Sequence, residues 1–566
     1  MPAGDLAVAV ELDEAISVEI NTRVRALEYL IQDKGVAGVV ETVPSFRALL
    51  VYYDPLVVEY EALCETLRRL GEQSEHASLP PARTVELPCC YDDPELGFDL
   101  AAAAACLDLS PAELVRLHAG VEHFVYFIGF TPGLPYMGGM PERIHLPRLE
   151  TPRTHVPAGS VGIGGAQCCI YSVESPGGYW VLGRTPLRLY DPDAAEPVLL
   201  RPGDRVRFRP IGRNEFDAIA NEVSASSAGS AGATDPGGRQ GESEPEARSA
   251  RREGGEAPLR VLDAGPLTTV QDLGRVGQLR YGIPPSGPMD RESFVLANRL
   301  VGNPDTAAGL ECTYMGPRFQ VDRACAIAVT GAPAPVTVNG APAPRWTTIL
   351  LRPGDTVRVG PPRAGVRSYV AFSGGLDVPL VLGSRATYLR GRLGGLEGRP
   401  LRPGDALSLG PAPLPPVRAV ASPPDVGDGA ATVVRVVLGP QADRFTEDGI
   451  RTFLESAYEM RPESDRMGAR LRGPRIAHAR GHDIISDGIA LGSLQVPGDG
   501  QPIALLVDRQ STGGYTKIAT VCSFDVGRLA QAKPGQRVRF EALALADAHR
   551  ALRHCQASLA GALARA

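Results

Sequence analysis

The sequence predicts a mainly β chain: several small, closed or nearly closed antiparallel barrels behind an N-terminal α+β module of split βαβ plan. Three observations carry this. The first is a long motif stated twice. Gly159-Ser160-Val161-Gly162-Ile163 through Ser175-Pro176-Gly177-Gly178-Tyr179 returns as Gly492-Ser493-Leu494-Gln495-Val496 through Ser511-Thr512-Gly513-Gly514-Tyr515. Repetition at this distance means related domains rather than a short-period solenoid. The second is a basic strand after each copy, Arg201–Phe208 and Lys533–Phe540, each opening on a Pro-Gly turn, with further Pro-Gly-Asp turns at 353–355 and 403–405. The third is composition: 64 Gly and 51 Pro among 566 residues, with 43% hydrophobic residues, describe a turn-rich chain with ample core.

At this length roughly three to five domains are expected. Residues 6–11 read as a strand. A helix follows at about 16–33, with Ile16, Ile20, Val24, Leu27 and Leu30 at helical spacing. Strands at 36–43 and 47–53, a helix opening at Tyr53-Asp54-Pro55, and a strand at 84–88 complete a ferredoxin-like β-α-β-β-α-β order over 1–88, with no catalytic constellation. Ser110-Pro111-Ala112-Glu113 is a strong helix start, with an N-cap Ser, Pro at N1 and acid in the first turn. From Phe124 to Pro210 short strands alternate with Gly/Pro turns, placing a barrel in a domain over 89–222. Residues 224–257 contain no Val, Ile, Leu or aromatic residue, so 223–257 is expected to be a disordered linker, its ends on the order of 30 Å apart. Two β domains follow, 258–415 with a helix at about 291–301, and 416–566 closed by an amphipathic helix at about 543–565, joined at a Pro-rich stretch over 411–424.

The net charge of −7 argues against a nucleic-acid binder. No apolar run approaches the ~20 residues of a membrane span, and the acidic first twenty residues lack a basic signal-peptide region, so a cytoplasmic protein is expected. The ten Cys show no CxxC and no Cys/His zinc spacing, so neither disulfides nor a metal site is expected. Lys occurs only at Lys34, Lys517 and Lys533, which makes the Lys517 inside the second motif conspicuous.

Two segments resemble a known family. His118 through Gly129-Phe130-Thr131-Pro132-Gly133 to Pro152-Arg153-Thr154-His155-Val156-Pro157-Ala158-Gly159-Ser160-Val161 is similar to allophanate hydrolase subunit 1, also called the B component of 5-oxoprolinase. Gln271-Asp272-Leu273-Gly274-Arg275 through Gly513-Gly514-Tyr515 is similar to allophanate hydrolase subunit 2, or the C component of 5-oxoprolinase. The resemblance covers nearly everything outside the linker. It implies tandem cyclophilin-like β-barrels. It also implies B and C components that work with a separate 5-oxoprolinase A component to open 5-oxo-L-proline to L-glutamate with ATP hydrolysis. It departs at His123, where the family often has Tyr, and at Leu134-Pro135-Tyr136-Met137, where Phe-Pro-Tyr-Leu is usual. The same modules resemble the carboxyltransferase part of urea carboxylase, which implies an alternative biotin-dependent carboxyl transfer to urea. That reading is weakened by the absence of a Met-Lys-Met biotin attachment site. A third reading, a histidine-kinase inhibitor fused to its own antagonist, makes little regulatory sense.

Both chemistries need recognition of a small planar amide and stabilisation of oxyanion charge, which Gly-rich turns and fixed cations supply. Gly513, Gly514 and Tyr515 are candidates, though a plain tight turn between strands is the readier explanation of a Gly-Gly-Tyr, and its duplication speaks for fold before function. Lys517 is read as an ion-pair donor or an exposed strand residue, and Asp508 as orienting either Lys517 or a substrate amine. Asp465, Arg466 and Arg470 are read as carboxylate holders or internal salt bridges, and Gln495 and Gln501 as amide partners or turn fillers. His118 is the general acid/base candidate, against a dipole-compensating role at a helix end. Tyr126, Arg148, Ser160, Gln167 and Arg184 are secondary pocket candidates. Gln271, Asp272, Arg275, Ser286, Asp290, Asn298 and Glu311 form a polar set that marks either a site or a domain joint. No G-x-x-x-x-G-K-[ST] loop is present, so ATP, with Mg2+, needs another kind of site. The A component and a small-molecule substrate are the implied partners, with homo-oligomers compatible.

Overall fold

The computed structural model describes residues 1–194, 196–229, 258–424, 426 and 431–565. It is mainly β and divides into two compact units. One comprises Met1–Pro80 and Ala257–Ala566, the other Pro81–Glu256.

The first residues form a three-stranded antiparallel sheet with Ala48–Tyr53 between Ala7–Glu11 and Val39–Pro44. Helices Val18–Asp33 and Tyr60–Gln73 pack on it. Ser17 caps the first, accepting the Ile20 N–H at 3.1 Å. Val24, Leu27 and Ile31 at helical spacing meet Leu63, Leu67 and Leu70 over Leu49 and Val51. Strand Thr84–Cys90 does not complete this sheet. It pairs in parallel with Arg205–Ile211 instead and enters a barrel, because Leu87 and Cys89 belong to that barrel's core.

The barrel of Pro81–Glu256 closes in the order Trp180–Arg184, Thr84–Cys90, Arg205–Ile211, His123–Ile128, Pro135–Gly138, Gln167–Ile170, Ser160–Gly164. A second barrel, in the other unit, closes as Lys517–Val521, Ala431–Leu438, Arg537–Ala542, Ala457–Met460, Gly468–Arg472, Ile503–Leu505, Ser493–Gln495. Strand for strand these are the same circuit, each with one parallel pair. Outside each barrel lies a two-stranded ribbon, Arg153–Val156 with Ser175–Gly177 in the first and Asp483–Gly488 with Thr512–Tyr515 in the second. The sequence duplication is thus a duplication of topology.

Between the N-terminal module and the second barrel in chain order, a six-stranded and a five-stranded sheet enclose one core that includes Val261, Val270, Phe319, Ile327, Val359 and Phe372. Helix Arg291–Leu300 packs Phe294, Leu296 and Leu300 against Ala328, Tyr369 and Ala371. The closing helix runs Leu545–Ala560 and is followed by a short strand, Leu563–Arg565, where the sequence pattern extends the helix. Four short or polar helices escape the pattern: Leu100–Cys106, Arg213–Gly229, Glu447–Glu455 and Val526–Gln531. Arg213–Gly229 occupies the start of the expected linker, its first turn braced by Arg213 on Asp217 at 3.0 Å. The remainder of that linker, 230–257, lies outside the described residues.

Candidate functional site

The register of the two barrels locates the site by contrast. In the first, Trp180, Val181, Gly183 and Arg184 face Ile163, Gly162, Val161 and Ser160, with a bulge between Val181 and Gly183. In the second, Lys517, Ala519 and Thr520 face Gln495, Leu494 and Ser493, with an irregularity at the same level. Where the first barrel sets Val181 against Gly162, the second therefore sets Lys517 against Gln495. The residue two before, Tyr179 or Tyr515, behaves oppositely as well. Tyr179 is 5% exposed and Tyr515 is 41% exposed.

In the first barrel Tyr179 fills the space. A Cβ on Gly162 would meet the Tyr179 Cβ at 3.0 Å, and one on Gly164 would meet its ring at 2.8 Å, so both glycines exist to admit the tyrosine. Its hydroxyl donates to Gln167 Oε1 at 2.6 Å and accepts from Arg148 Nη2 at 3.1 Å, with the Arg148 guanidinium 4.9 Å from the ring centre. Arg148 and Gln167 are thus brought together, but as partners of Tyr179. Arg184 donates to the Ala158 carbonyl at 2.7 Å, and burial lowers its pKa. Tyr126 packs against Phe124 and Gly138. Ser160 is buried opposite Arg184, away from the Arg148 cluster, and its hydroxyl has no partner.

In the second barrel the equivalent space is polar. Lys517, only 1% exposed, is ion-paired through Nζ with Asp487 on the ribbon. The other Asp487 oxygen accepts from Gln441 Nε2 at 3.0 Å, and Gln441 Oε1 accepts the Lys517 N–H at 3.2 Å. Across from Lys517, the buried Gln495 Nε2 has no hydrogen-bond partner. A Cβ on Gly513 would sit 2.7 Å from Gln510 Nε2 and 2.9 Å from Gln495 Nε2, so the missing side chain leaves the two amides room. Ser493, Ser511 and Thr512 add three more buried, unpartnered hydroxyls. Ser160 and Ser175 repeat two of these unpartnered hydroxyls in the first barrel, so the unpartnered Gln495 amide, where the first barrel has Gly162, is what sets the second apart. Gly514 lies beside Ser486 on the half-exposed ribbon, with Tyr515 at its outer end near His482.

A separate cavity of about 490 Å³ lies among the N-terminal module, the loop 285–292 and the second barrel, all within one compact unit. Tyr52 and Glu41 line it from one side, Ser286, Asp290 and Arg509 from the other. Arg509 Nη2 donates to the Tyr52 hydroxyl, and Glu41 accepts the N–H groups of Gly277 and Leu279 at 3.0 and 3.3 Å. Burial raises the Glu41 pKa, against those N–H groups and Arg509. Asp5 is likewise raised by burial, opposed by its bonds from Ser523. Ser286 is held at φ 58°, in the left-handed region, with its buried hydroxyl unpartnered.

The comparisons with known proteins agree with this architecture. The carboxyltransferase domain family matches residues 281–542 through its subdomains A and B, and residues 1–200 through its subdomains C and D. The chain is 35% identical over 297 residues to the 5-oxoprolinase C component of Escherichia coli K12, covering 52% of this chain and 94% of that protein. It is 43% identical over 208 residues to the 5-oxoprolinase B component of Escherichia coli O157:H7, covering 37% of this chain and 93% of that one. This chain belongs to the 5-oxoprolinase B and C families, joined in one polypeptide. The crystal structure of TTHA0988, 34% identical, superimposes with a TM-score of 0.79 over 94% of this chain and 99% of that one. Of urea amidolyase from Lachancea kluyveri, 35% identical over 306 residues, the chain spans only 16%.

Several sequence-based assignments change on this frame. In the B-like half, His118 is not a general base open to substrate. It is fully buried in the barrel core, and burial, then His123, pushes its pKa well below the usual histidine value. In the C-like half, Asp508 does not orient Lys517. It accepts Arg466 Nε at 2.9 Å and Nη2 at 3.2 Å, while Arg466 Nη1 binds Glu311 and Nη2 donates to the Gly287 carbonyl at 2.8 Å. Burial alone would lower the Arg466 pKa, but Asp508 and Glu311 outweigh it. Glu311 also accepts the Met289 N–H at 2.8 Å and the Tyr369 hydroxyl at 2.9 Å, so this network is a domain joint.

Gln271 accepts the Gly287 N–H at 3.1 Å, Asp272 accepts Ser384 Oγ at 2.6 Å, and Arg275 donates to the Ala386 carbonyl. Together they brace the loop that carries Ser286. Asn298 donates to the Ala307 carbonyl at 2.9 Å and is structural. Asp465 caps its own turn through Met467 N–H at 2.8 Å, Arg470 is exposed, and Gln501 satisfies Gly473 from both sides of its amide. The ribbon ends at Tyr515 and the barrel strand begins at Lys517. Asp487, Gln441 and Gln510 were missed. Asp487 and Gln441 reach the site from segments 30 and 76 residues before Lys517, with no repeat in the sequence to signal them.

Proposed function

We propose that this chain supplies the B and C components of an ATP-dependent 5-oxoprolinase. With a separate A component it opens the lactam of 5-oxo-L-proline to L-glutamate, and the lactam is held at the Lys517–Gln495 site. The observation that carries the site is the unpartnered Gln495 amide beside the buried Lys517–Asp487 pair. A lactam presents one carbonyl acceptor and one N–H donor in a plane. Gln495 Nε2 supplies a donor for the carbonyl oxygen, and the Lys517 ammonium stabilises the negative charge that gathers on it as the C–N bond opens. Asp487 and Gln441 hold the ammonium in place, and Gly513, lacking a side chain, lets the Gln495 and Gln510 amides approach its backbone.

ATP belongs on this reading to the A component. The turn Ser286–Asp290 does lead into a helix, but it puts the carboxylate of Asp290, the N-cap residue, where a phosphate would sit. These residues do not fit a nucleotide cradle. The reading is also supported by the match of both component families over nearly their full lengths. The test is reconstitution of the purified chain with its A component. Glutamate should form from 5-oxoproline only with ATP. No glutamate, or carboxyl transfer from carboxybiotin to urea in its place, overturns the proposal.

A further inference from the structure

The core of the first barrel holds a group that this function does not use. His118, in the last turn of helix Pro111–Ala119, His123, opening strand His123–Ile128, and Cys168 of strand Gln167–Ile170 are all fully buried. One donor atom from each lies within 4.8 Å of the other two. His118 Nε2 is 3.4 Å from Cys168 Sγ, and the two imidazole rings are 4.7 Å apart.

The hydrogen bonds fix which atoms are free. His123 Nε2 is 2.9 Å from the His118 carbonyl oxygen, which can only accept, so Nε2 carries the proton and Nδ1 keeps its lone pair. That Nδ1 is buried and has no partner. His118 Nδ1 is engaged at 3.0 Å by the Tyr91 hydroxyl, which leaves Nε2 to face the cysteine, in the manner of an outer partner fixing a ligand imidazole. The Phe208 ring centre lies 4.8 Å from the His118 ring, tilted, and 5.0 Å from the His123 ring, edge-on, which makes that side of the group apolar.

We propose that His118 Nε2, His123 Nδ1 and Cys168 Sγ form a closed binding site for one soft or borderline metal ion of the Cu(I) or Zn(II) class. Two imidazoles and a thiolate, with no oxygen ligand among them, select such ions over Mg2+ or Ca2+. Three ligands around one ion would stand roughly 3.6 Å apart at ordinary metal–nitrogen and metal–sulfur lengths, so small side-chain shifts close the triangle. Binding releases the thiol proton and gives the orphaned His123 nitrogen its partner. The spacing His118, His123, Cys168 follows no zinc-finger pattern, so the sequence does not announce it. Because the three are sealed from solvent, the ion is taken up as the barrel folds.

The test is to express the full chain in copper- and in zinc-supplemented medium, wash it with chelator, and measure metal per chain by mass spectrometry. The proposal expects about one ion per chain in at least one medium, falling at least tenfold in Cys168→Ala and in His123→Tyr. The second variant keeps the fold measurable should the first be unstable. Cobalt-loaded wild type should show a thiolate-to-metal absorption band that Cys168→Ala lacks. Metal near background in both media, or content unchanged by two folded variants, overturns it.

Discussion

The two barrels follow one circuit and even share a strand irregularity, yet they fill the same position in opposite ways. The first seals it with Tyr179 over Gly162 and Gly164. The second removes the tyrosine to the surface as Tyr515 and lines the space with Lys517, Gln495 and Asp487. Duplication conserves the pleat and the bulge, while the side chains decide how the room they make is filled. A buried charge pair is poor evidence for stability, since hydrophobic residues of the same volume do as well or better. In the first barrel Val181 holds the position of Lys517, and its N–H donates to Asp99, which pairs with the part-exposed Arg153 of the ribbon, so the two barrels differ in how deeply a cation is buried there.

The comparison can be broken most sharply at that pair. Lys517→Met should lower glutamate release by the reconstituted enzyme by about 10²–10³-fold. Tyr179→Phe, at the sealed position, should leave turnover within about twofold and lower stability by about 1 kcal/mol for its lost hydroxyl bonds. Equal losses of turnover would erase the distinction.

Stability should divide differently. Arg466→Ala strands Glu311 and Asp508 in the buried joint and should destabilise by about 3–5 kcal/mol in urea unfolding. Arg148→Ala, partly exposed, should fall well short of that.

Glycine variants sharpen the contrast further. Gly164→Ala should lower the urea midpoint by an amount equivalent to about 1–3 kcal/mol, because its Cβ collides with the Tyr179 ring. Gly513→Ala meets only the ends of two glutamine side chains and the tip of Ile489, so it should raise KM about tenfold, roughly 1.4 kcal/mol, with little change in unfolding midpoint.

The smallest effect is one of pH. Burial holds the Glu41 pKa above its ordinary 4.5, so the folded chain keeps a proton there that the unfolded chain has released. Stability from this group is greatest below 4.5 and declines as pH rises through the folded value. Glu41→Gln should therefore gain on wild type in unfolding experiments as pH moves from acid to neutral.

The barrels were legible in the sequence because a strand-turn motif repeated over many residues fixes pleat, register and closing turn together. Gln495 and Gly513 stood out for the same reason, as members of the repeat, and Lys517 because lysine is so rare in this chain. The partner of Lys517 was not, because Asp508 is nearer in sequence but its carboxylate is claimed by Arg466, and Asp487 arrives on the ribbon. His118 has the chemistry of a general base, but an imidazole's burial depends on how the barrel closes over it. Glu311 was visible as part of a dense polar set, yet only the packing of Arg466 and Tyr369 onto it decides that it is a joint.

The residues before Pro80 match the same family model as the first barrel, yet they fold in one compact unit with the C-like half. Tyr52 on Arg509, Asp5 on Ser523 and Tyr53 on His549, 3.1 Å apart, knit them together. Peptide continuity through the stretch around residue 240 is then redundant for attachment. A nick there would yield two fragments that still travel as one particle, as two separately made polypeptides would.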